Sequence, residues 1–507
     1  MTDMARRRRG GGGAARRAER GTLDIETAAT ITRRIPNFDI LDDEALSVIE
    51  DQAETLLAEI GVAFVENPTA LQRWRDAGAE IEGELVRIPH GLARTLCGTA
   101  PSSFTQIARN PDRSVEIGGR NLVLAPVYGP PFVRDGDGRR YATMADFRKF
   151  VKLGHMSKWL HHSGGTVCEP TDIPVAERHL DMLMAHAMLT DKPFMGSVTD
   201  PSRAADSVCF VDALFGGLDD RTALINLINI NSPLTFDATM MGALEVYAAA
   251  NQACIVSPFI VGGAMAPVTV SGTLVQVLAE VMAGIAYSQL VRPGAPVVFG
   301  AFVTSIDMGS GAPTFGTPEA AMITYGAGQL ARRLNLPYRS GGSFCGSKLP
   351  DAQAAYETAN SLNAGLLGGV NFMLHACGWL EGGLVADFEK FVMDADQLGI
   401  LHRLAAGAAP DPDALDAVRE VGPGGHYLGA VHTQARFKTA FWRSDLLDYK
   451  PYETWAEEGA RDTRALACRR VEKLLEAYAA PPIDDATRGA LDEFVTRRRA
   501  DLAAAAA

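Results

Sequence analysis

The feature that most restricts this chain is an alternation in its middle: short apolar runs, too brief for helices, are each followed by a longer stretch with helical periodicity. The runs at 121–127, 161–167, 194–198, 223–229, 253–260, 296–303, 338–342 and 370–376 read as strands. Between them, 175–189, 236–251, 272–290, 318–334 and 351–367 read as helices. Strand–helix–strand units of this kind imply a parallel sheet, and eight of them predict an α/β chain closed into a (β/α)₈ TIM barrel. A doubly wound open sheet is the alternative, but the glycine fingerprint expected after its first strand is missing.

The flanks read differently. Asp42 can cap an amphipathic helix that runs to about residue 60, and shorter helical patterns follow at 68–77 and 89–97. The expected organisation is therefore an N-terminal helical cap over 31–115, the barrel over 116–385, and a C-terminal helical extension over 386–507. Residues 1–30 hold an arginine run and a glycine run. A signal peptide would place an apolar stretch after its basic start, so a solvated, disordered tail is expected instead. No later stretch gives the roughly 18 uninterrupted apolar residues that a bilayer span needs. A hydrophobic fraction of 47% can bury a large core and permits a homo-oligomer, while a net charge of −13 argues against nucleic acid as a partner. The seven cysteines are scattered singly, which suits reduced thiols in a cytoplasmic protein rather than a disulfide framework or zinc site.

In such barrels chemistry happens at the carboxyl ends of the strands. Reading those ends in order gives Tyr128, Thr166 with Cys168 and Glu169, Thr199 with Asp200, Asn229 with Asn231, Gly262-Gly263, Thr304 with Asp307, Ser343 to Lys348, and His375 with Trp379 and Glu381. The set is polar and aromatic, with no zinc spacing, Walker A sequence or GxSxG elbow, so no metal is predicted. Glu169 and Asp307 are general-base candidates or simply helix caps. His375 is a catalyst or a core histidine, and Cys345 a nucleophile or an inert thiol. Tyr128, Phe302, Phe315, Phe344 and Trp379 are core filler or a cage for a methylated ammonium. The GPGGHY stretch at 422–427 reads as a tight turn better than as a phosphate loop.

Several motifs coincide with one family. SGTLVQVLAEVMAGIAYSQLVRPGAPVVFGAF, TSIDMGSGAPTFGTPEAA and SKLPDAQAAYE, in order between residues 271 and 357, resemble the central block of the trimethylamine methyltransferase family. IGVAFVENPTALQRWRDAGAEIEGELVRIP resembles its N-terminal block, and GGHYLGAVHT and LLDYKPYETW its C-terminal block, so the likeness covers about residues 35 to 490. It implies a (β/α)₈ barrel that moves a methyl group from a methylated amine to the Co(I) corrinoid of a cognate partner protein.

Trimethylamine-specific members of that family carry pyrrolysine just ahead of the segment that is here Ser347-Lys348-Leu349-Pro350-Asp351. Its place falls on Ser343–Cys345, centred on Phe344, which offers no electrophilic imine. A quaternary ammonium leaves as a neutral amine without prior activation. The resemblance to the pyrrolysine-free members therefore implies a quaternary donor such as glycine betaine, with trimethylamine or another tertiary amine as the alternative. A non-catalytic betaine-binding barrel, and a lyase or hydrolase using Glu169 or Asp307 as base, are the competing readings. The expected reaction centre is Ser343, Phe344, Cys345 and His375. Tyr128, Glu169, Asn229, Phe302, Asp307 and Trp379 are expected to hold the substrate, and Arg339, Lys348 or His375 to pair with a substrate carboxylate.

Overall fold

The computed structural model describes residues 28–136 and 138–506, so the tail expected for 1–30 lies, up to residue 27, outside the described residues. Its centre is a parallel sheet whose strands we label β1 (Asn121–Leu124), β2 (Phe194–Met195), β3 (Leu224–Ile230), β4 (Ala253–Gly262), β5 (Val297–Gly300), β6 (Phe302–Ile306), β7 (Tyr338–Arg339) and β8 (Phe372–Met373). Their order is β1-β8-β7-β5-β4-β3-β2, with β6 continuing beside the upper half of β4. From β2 to β5 each strand pairs in parallel with the one before it, β7 pairs with β5 and β8 with β7, and β8 pairs in parallel with β1. Helices Pro201–Phe215, Ala238–Ala249, Val270–Val291, Pro318–Arg333 and Ala352–Gly368 make the connections. They start on Asp200, Asp237, Thr269, Thr317 and Asp351; all but Thr317 accept a backbone N–H of the first turn with the side chain.

The strands divide their side chains with a period of two. Val123, Met195, Ile225, Leu227, Ala253, Ile255, Val298, Phe372 and Leu374 point to one face and pack on one another. Their neighbours Leu122, Leu224, Ile228, Val256, Val297 and Phe299 point to the other face and join the core shared with the helices. Val115 and Ile117, from the hairpin Ser103–Gln106/Val115–Gly118 just before β1, complete the inner cluster. The apolar helix Val270–Val291 is long and apolar enough to cross a membrane, but that apolar surface is spent inside the protein, with 89% of its most apolar window buried.

Three expectations need correction. The run 161–167 forms no strand, because side chains replace the ladder at the β1/β2 boundary. The Leu124 N–H donates to Nδ1 of His161 at 3.1 Å, and the Gly164 N–H to Nδ1 of His162 at 2.9 Å. What backbone pairing remains is the Leu124 carbonyl accepting from the N–H of His161 and His162 on one side, and Ser163 N–H to the Pro193 carbonyl with Met195 N–H to the Gly164 carbonyl on the other. The buried ammonium of Lys192 donates to the carbonyls of Gly154, Ser157 and Leu160 at 2.7–2.9 Å and fixes the approach to this segment. The run 296–303 is two strands that part at Ala301, whose N–H donates to the Arg339 carbonyl while Phe302 turns to β4. The N-terminal region is not purely helical: after Asp43–Thr55, capped by Asp42 as expected, come the hairpin Glu80–Glu82/Leu85–Arg87 and the one before β1. The helix Phe388–Ala405 follows β8 as the other helices follow their strands, capped by Asp387.

Candidate active site

Above the inner apolar cluster the strands change character. Ser257, Phe259 and Arg339 continue the inward face of β4 and β7, and Phe259 pairs across the sheet with Phe302 at a ring separation of 5.0 Å. From there an aromatic wall builds upward. Phe302 stacks on Phe344 at 4.9 Å and on His375 at 5.5 Å. Trp379 stands edge-on to His375 at 4.6 Å and to Phe344 at 5.2 Å, and Phe315 closes the far side at about 6 Å from both Phe344 and Trp379. The wall therefore joins β6, the β7 and β8 loops and the β6–Pro318 connection.

Local backbone makes this wall possible. His375 adopts φ +64, a left-handed conformation that costs a non-glycine residue strain and turns its ring inward. Gly342 at φ +139 lets the β7 loop pass against β8; a Cβ there would lie 2.7 Å from the Leu374 carbonyl oxygen. The loops are then fastened from behind. Ser343 donates its N–H and its hydroxyl to the His375 carbonyl, at 2.7 and 3.0 Å. The Cys345 thiol donates to the Trp379 carbonyl at 3.1 Å, and the Gly346 N–H to the Glu357 carboxylate at 2.7 Å. Beneath them Lys390 donates to Asp394 and to Thr358, while Asp394 also accepts the Gly378 N–H at 2.9 Å.

Electrostatics set the protonation states. Arg339 is fully buried, and its guanidinium donates to the Ser257 hydroxyl at 3.2 Å and to Nδ1 of His375 at 3.1 Å. Burial lowers the Arg339 pKa to about 10, so it stays charged at neutrality. Burial, and then that charge, hold His375 well below the ordinary histidine range. His375 is thus a neutral imidazole whose Nδ1 accepts, which puts its proton on Nε2. Burial pushes the Cys345 thiol up to about 12, so at neutral pH it is a thiol and not a thiolate.

The wall brings together Phe302, Ser343, Phe344, Cys345, His375 and Trp379, with Arg339 beneath. Tyr128 faces His375 from β1 at a ring separation of 6.4 Å. Burial and the neighbouring Glu169 push its phenol up to about 12. Glu169 is half-buried, ion-paired with Arg178 at 3.0 Å, and raised by burial. Asn229 ends the inward face of β3 opposite Ser257. Two candidates lie elsewhere: Asp307 is exposed in a turn, accepting from the N–H of Gly309 and Ser310, and Lys348 is exposed with its carbonyl taken by Arg134. The 422–427 stretch is a turn followed by one short 3₁₀ element. Sequence reasoning overlooked Phe259, Ser257, Lys390 and Asp394. The first two were within reach of the period-two count along β4; a Lys-x-x-x-Asp pair inside an otherwise apolar helix was the signal for the others.

A site of this composition offers aromatic faces, one neutral imidazole and a buried cation, which suits positioning more than acid–base or nucleophilic work. The family model described as trimethylamine methyltransferase (MTTB) matches residues 8–503. The chain is 40% identical to the glycine betaine methyltransferase of Desulfitobacterium hafniense (strain Y51), over 92% of this chain and 98% of that protein. It is 27% identical to the proline betaine:corrinoid methyltransferase of Eubacterium limosum, over 89% and 96% of the two chains. The crystal structure of the hydroxylamine MtmB complex superposes with a TM-score of 0.52 at 13% identity, covering 90% of this chain and 89% of that one, which establishes a shared α/β fold. With a family model spanning nearly the whole sequence and a full-length relative at this identity, the chain belongs to the trimethylamine methyltransferase family.

Proposed function

We propose that the protein transfers a methyl group from a quaternary amine of the glycine betaine type to a corrinoid carried by a partner protein, with trimethylamine and other tertiary amines as poorer donors. The observation that carries this is the aromatic wall at the carboxyl ends of β4, β6, β7 and β8, with Phe344 where activating chemistry would otherwise stand. The 40% identity with a glycine betaine methyltransferase supports the same reading. A Co(I) corrinoid supplies the nucleophile: as its bond to the methyl carbon forms, the C–N bond breaks and the electron pair stays on nitrogen, leaving a neutral tertiary amine.

The chain's own residues hold and orient the donor. The exposed parts of Phe302, Phe259 and Tyr128 face the cation, each contact contributing roughly 0.5–2 kcal/mol depending on desolvation. His375 stays neutral and adds no repulsive charge. Tyr128, Asn229, Phe259 and Phe302 are not fully buried, which fits a corrinoid presented from outside on another chain. In this reading residues 161–164 complete the ring of strands, so the sheet is a closed (β/α)₈ barrel with one strand reduced to side-chain bonds. The site lies in a cytoplasmic enzyme with reduced thiols.

The test is methylcobalamin formation, followed spectroscopically, on mixing the protein with a reduced cognate corrinoid protein and a panel of quaternary and tertiary amines. Methylation from glycine betaine or a relative supports the proposal. Methylation from trimethylamine alone overturns the quaternary preference, and turnover of the donor without any corrinoid points to a lyase or hydrolase.

A further inference from the structure

One part of the molecule has no core of its own. Residues 411–437 leave the barrel after the helix Phe388–Ala405 and return to it before Phe441. Of these residues only Ala417 and Ala430 are buried. Leu415, Val418, Tyr427, Leu428, Val431 and Phe437 are 44–83% exposed. The two helices of this arm, Ala414–Val421 and Val431–Arg436, are short enough to be marginal alone in water. Their ion pairs are internal: His432 with Asp411 at 2.6 Å, Arg436 with Asp413, and Arg419 with Asp416 at 2.8 Å. Exposed pairs of this kind contribute little. The six apolar side chains leave on the order of 700 Å² in water, close to the ~800 Å² that each partner gives to a standard interface.

Beside the base of the arm lies a groove of about 570 Å³. Ile31, Trp159, Phe441 and Trp442 give it an apolar and aromatic lining, Arg34 and Arg403 give it charge, and none of its lining residues is a carboxylate. Among the described residues the Arg34 guanidinium has no partner, and Arg403 donates to the Ala440 carbonyl at 3.2 Å. The arm carries the complement. Its residues 411–421 hold Asp411, Asp413, Asp416 and Glu420 against Arg419 alone, and Leu415 and Val418 share one helix face at i, i+3. Arm and groove both lie toward the amino ends of the strands. There the Ala405 carbonyl accepts the Arg34 N–H, and Ile31–Thr32 pairs with Asn121–Leu122 at the start of β1. The aromatic wall is at the opposite ends, so a corrinoid carrier that serves the wall leaves this region uncovered.

We propose that the arm is exchanged between two copies of the chain: helix Ala414–Val421 packs into this groove of the second copy, whose own arm returns the contact in a two-fold dimer. The arm springs from the rim of its own groove with its apolar side chains still exposed, so the occupant is the other copy's arm. Leu415 and Val418 meet the aromatic lining, and the acidic helix meets the two arginines. Two reciprocal arms bury enough surface for a stable dimer. The inference does not depend on the methyl donor.

Light scattering on the full-length protein as it elutes from a sizing column is expected to give a dimer or a larger assembly of dimers. Leu415→Asp/Val418→Asp and, separately, Arg34→Glu/Arg403→Glu are each expected to weaken dimerisation by about 100-fold or more. All four side chains are exposed, so each variant should keep the far-ultraviolet circular dichroism of the wild type. A second readout uses no disruptive change. Mixing Val418→Cys chains with Arg34→Cys chains under mild oxidation is expected to give a covalent heterodimer. Either variant alone controls for the exposed Cys209 and Cys468. A monomeric wild type overturns the inference, and so does a dimer that withstands Leu415→Asp/Val418→Asp. A dimer sensitive to the arm variant but not to the groove variant, with no cross-link, seats the arm elsewhere and overturns the groove assignment. If the arm variant stays dimeric and instead loses methyl transfer to the corrinoid carrier, the arm serves the carrier and the inference falls. Failure of the wild type to demethylate any amine sinks the functional proposal and leaves this one standing.

Discussion

The β7/β8 side of the sheet and the β1/β2 boundary face the same difficulty, backbone that leaves the ladder while staying buried, and meet it with opposite chemistry. On the β7/β8 side the loops are pinned by the Lys390–Asp394 ion pair, and Arg134 faces Asp387 at 3.7 Å. At the β1/β2 boundary they are pinned by neutral imidazoles and one cation on backbone carbonyls. His161, His162 and His186 serve as ring-nitrogen partners to Leu124, Gly164 and Ser163, while Lys192 gathers three carbonyls. One short ion pair, Lys390 with Asp394, stands behind the aromatic wall, where a misplaced ring would cost positioning. Softer bonds stand where the only requirement is to close a gap.

The sharpest break of the comparison is Lys390→Met. It leaves Asp394 buried without its cation and takes a donor from Thr358, and removing one member of a buried pair costs about 3–5 kcal/mol. Thermal unfolding should show that loss. The double variant Lys390→Met/Asp394→Leu should lose less than Lys390→Met alone; an additive double loss would mean that the charge pair is not the unit that holds the loops.

Acid should attack the two regions with opposite sign. Burial lowers His161 to about 3 and His186 and His402 to about 4, against an ordinary 6.5. The unfolded chain then takes up protons that the folded chain refuses as pH falls from 6.5 toward 4. The stability these groups contribute is intact above 6.5 and is lost through that window, by about 2 kcal/mol for each histidine near pH 5. Asp387 runs the other way. Burial, with Glu389 nearby, raises its carboxyl to about 7, so folding binds a proton more readily than unfolding and stability rises as pH falls from 7 toward 3.8. Urea titrations at pH 7 and 5 should show a net loss on acidification, and Asp387→Asn should steepen it. A flat profile would contradict the neutral-histidine description of the β1/β2 boundary.

The sequence made much of this legible and some of it not, for physical reasons. Six of the eight runs were read as single strands and appear as single strands, because apolar runs too short for helices, set between helical stretches, leave few alternatives. The run 161–167 misled because its apolar and histidine content is the same whether the backbone or the imidazoles satisfy Leu124. The wall residues Phe302, Phe344, His375 and Trp379 could be named from their positions at strand ends. Their mutual contact could not, since it depends on φ +64 at His375 and on the route of the β7 loop past β8. That the guanidinium of Arg339 ends on two neutral partners, Ser257 and His375, is a property of three dimensions alone.

A smaller effect concerns the wall itself. Phe302 has the Arg339 guanidinium at one face and is only partly buried, so it is the wall residue best placed to meet a cation from the strand ends. Phe302→Leu keeps the apolar volume but removes the ring quadrupole, worth about 0.5–2 kcal/mol. KM for the quaternary donor should rise by roughly 2- to 30-fold with kcat little changed. If kcat fell instead with KM unchanged, the ring would matter in the transition state rather than in holding the cation.

The smallest expected effect is the most pointed against the lyase or hydrolase alternative. Asp307 was a base candidate from its place after the strand, yet both its oxygens are already engaged: Oδ1 accepts the Gly309 N–H, and Oδ2 accepts the N–H and hydroxyl of Ser310. Those bonds, the Ser310 hydroxyl first, hold its carboxyl below the ordinary aspartate range, which makes it a weaker base than a free carboxylate. Asp307→Asn keeps one acceptor oxygen for the turn and should leave kcat and KM within about twofold, with little change in thermal stability, as for most surface substitutions. A loss of two or more orders of magnitude in kcat would return the proton-abstracting reading to the front. It would also mean that the reacting atoms lie out at the β6 turn and not against the wall of Phe302, Phe344, His375 and Trp379.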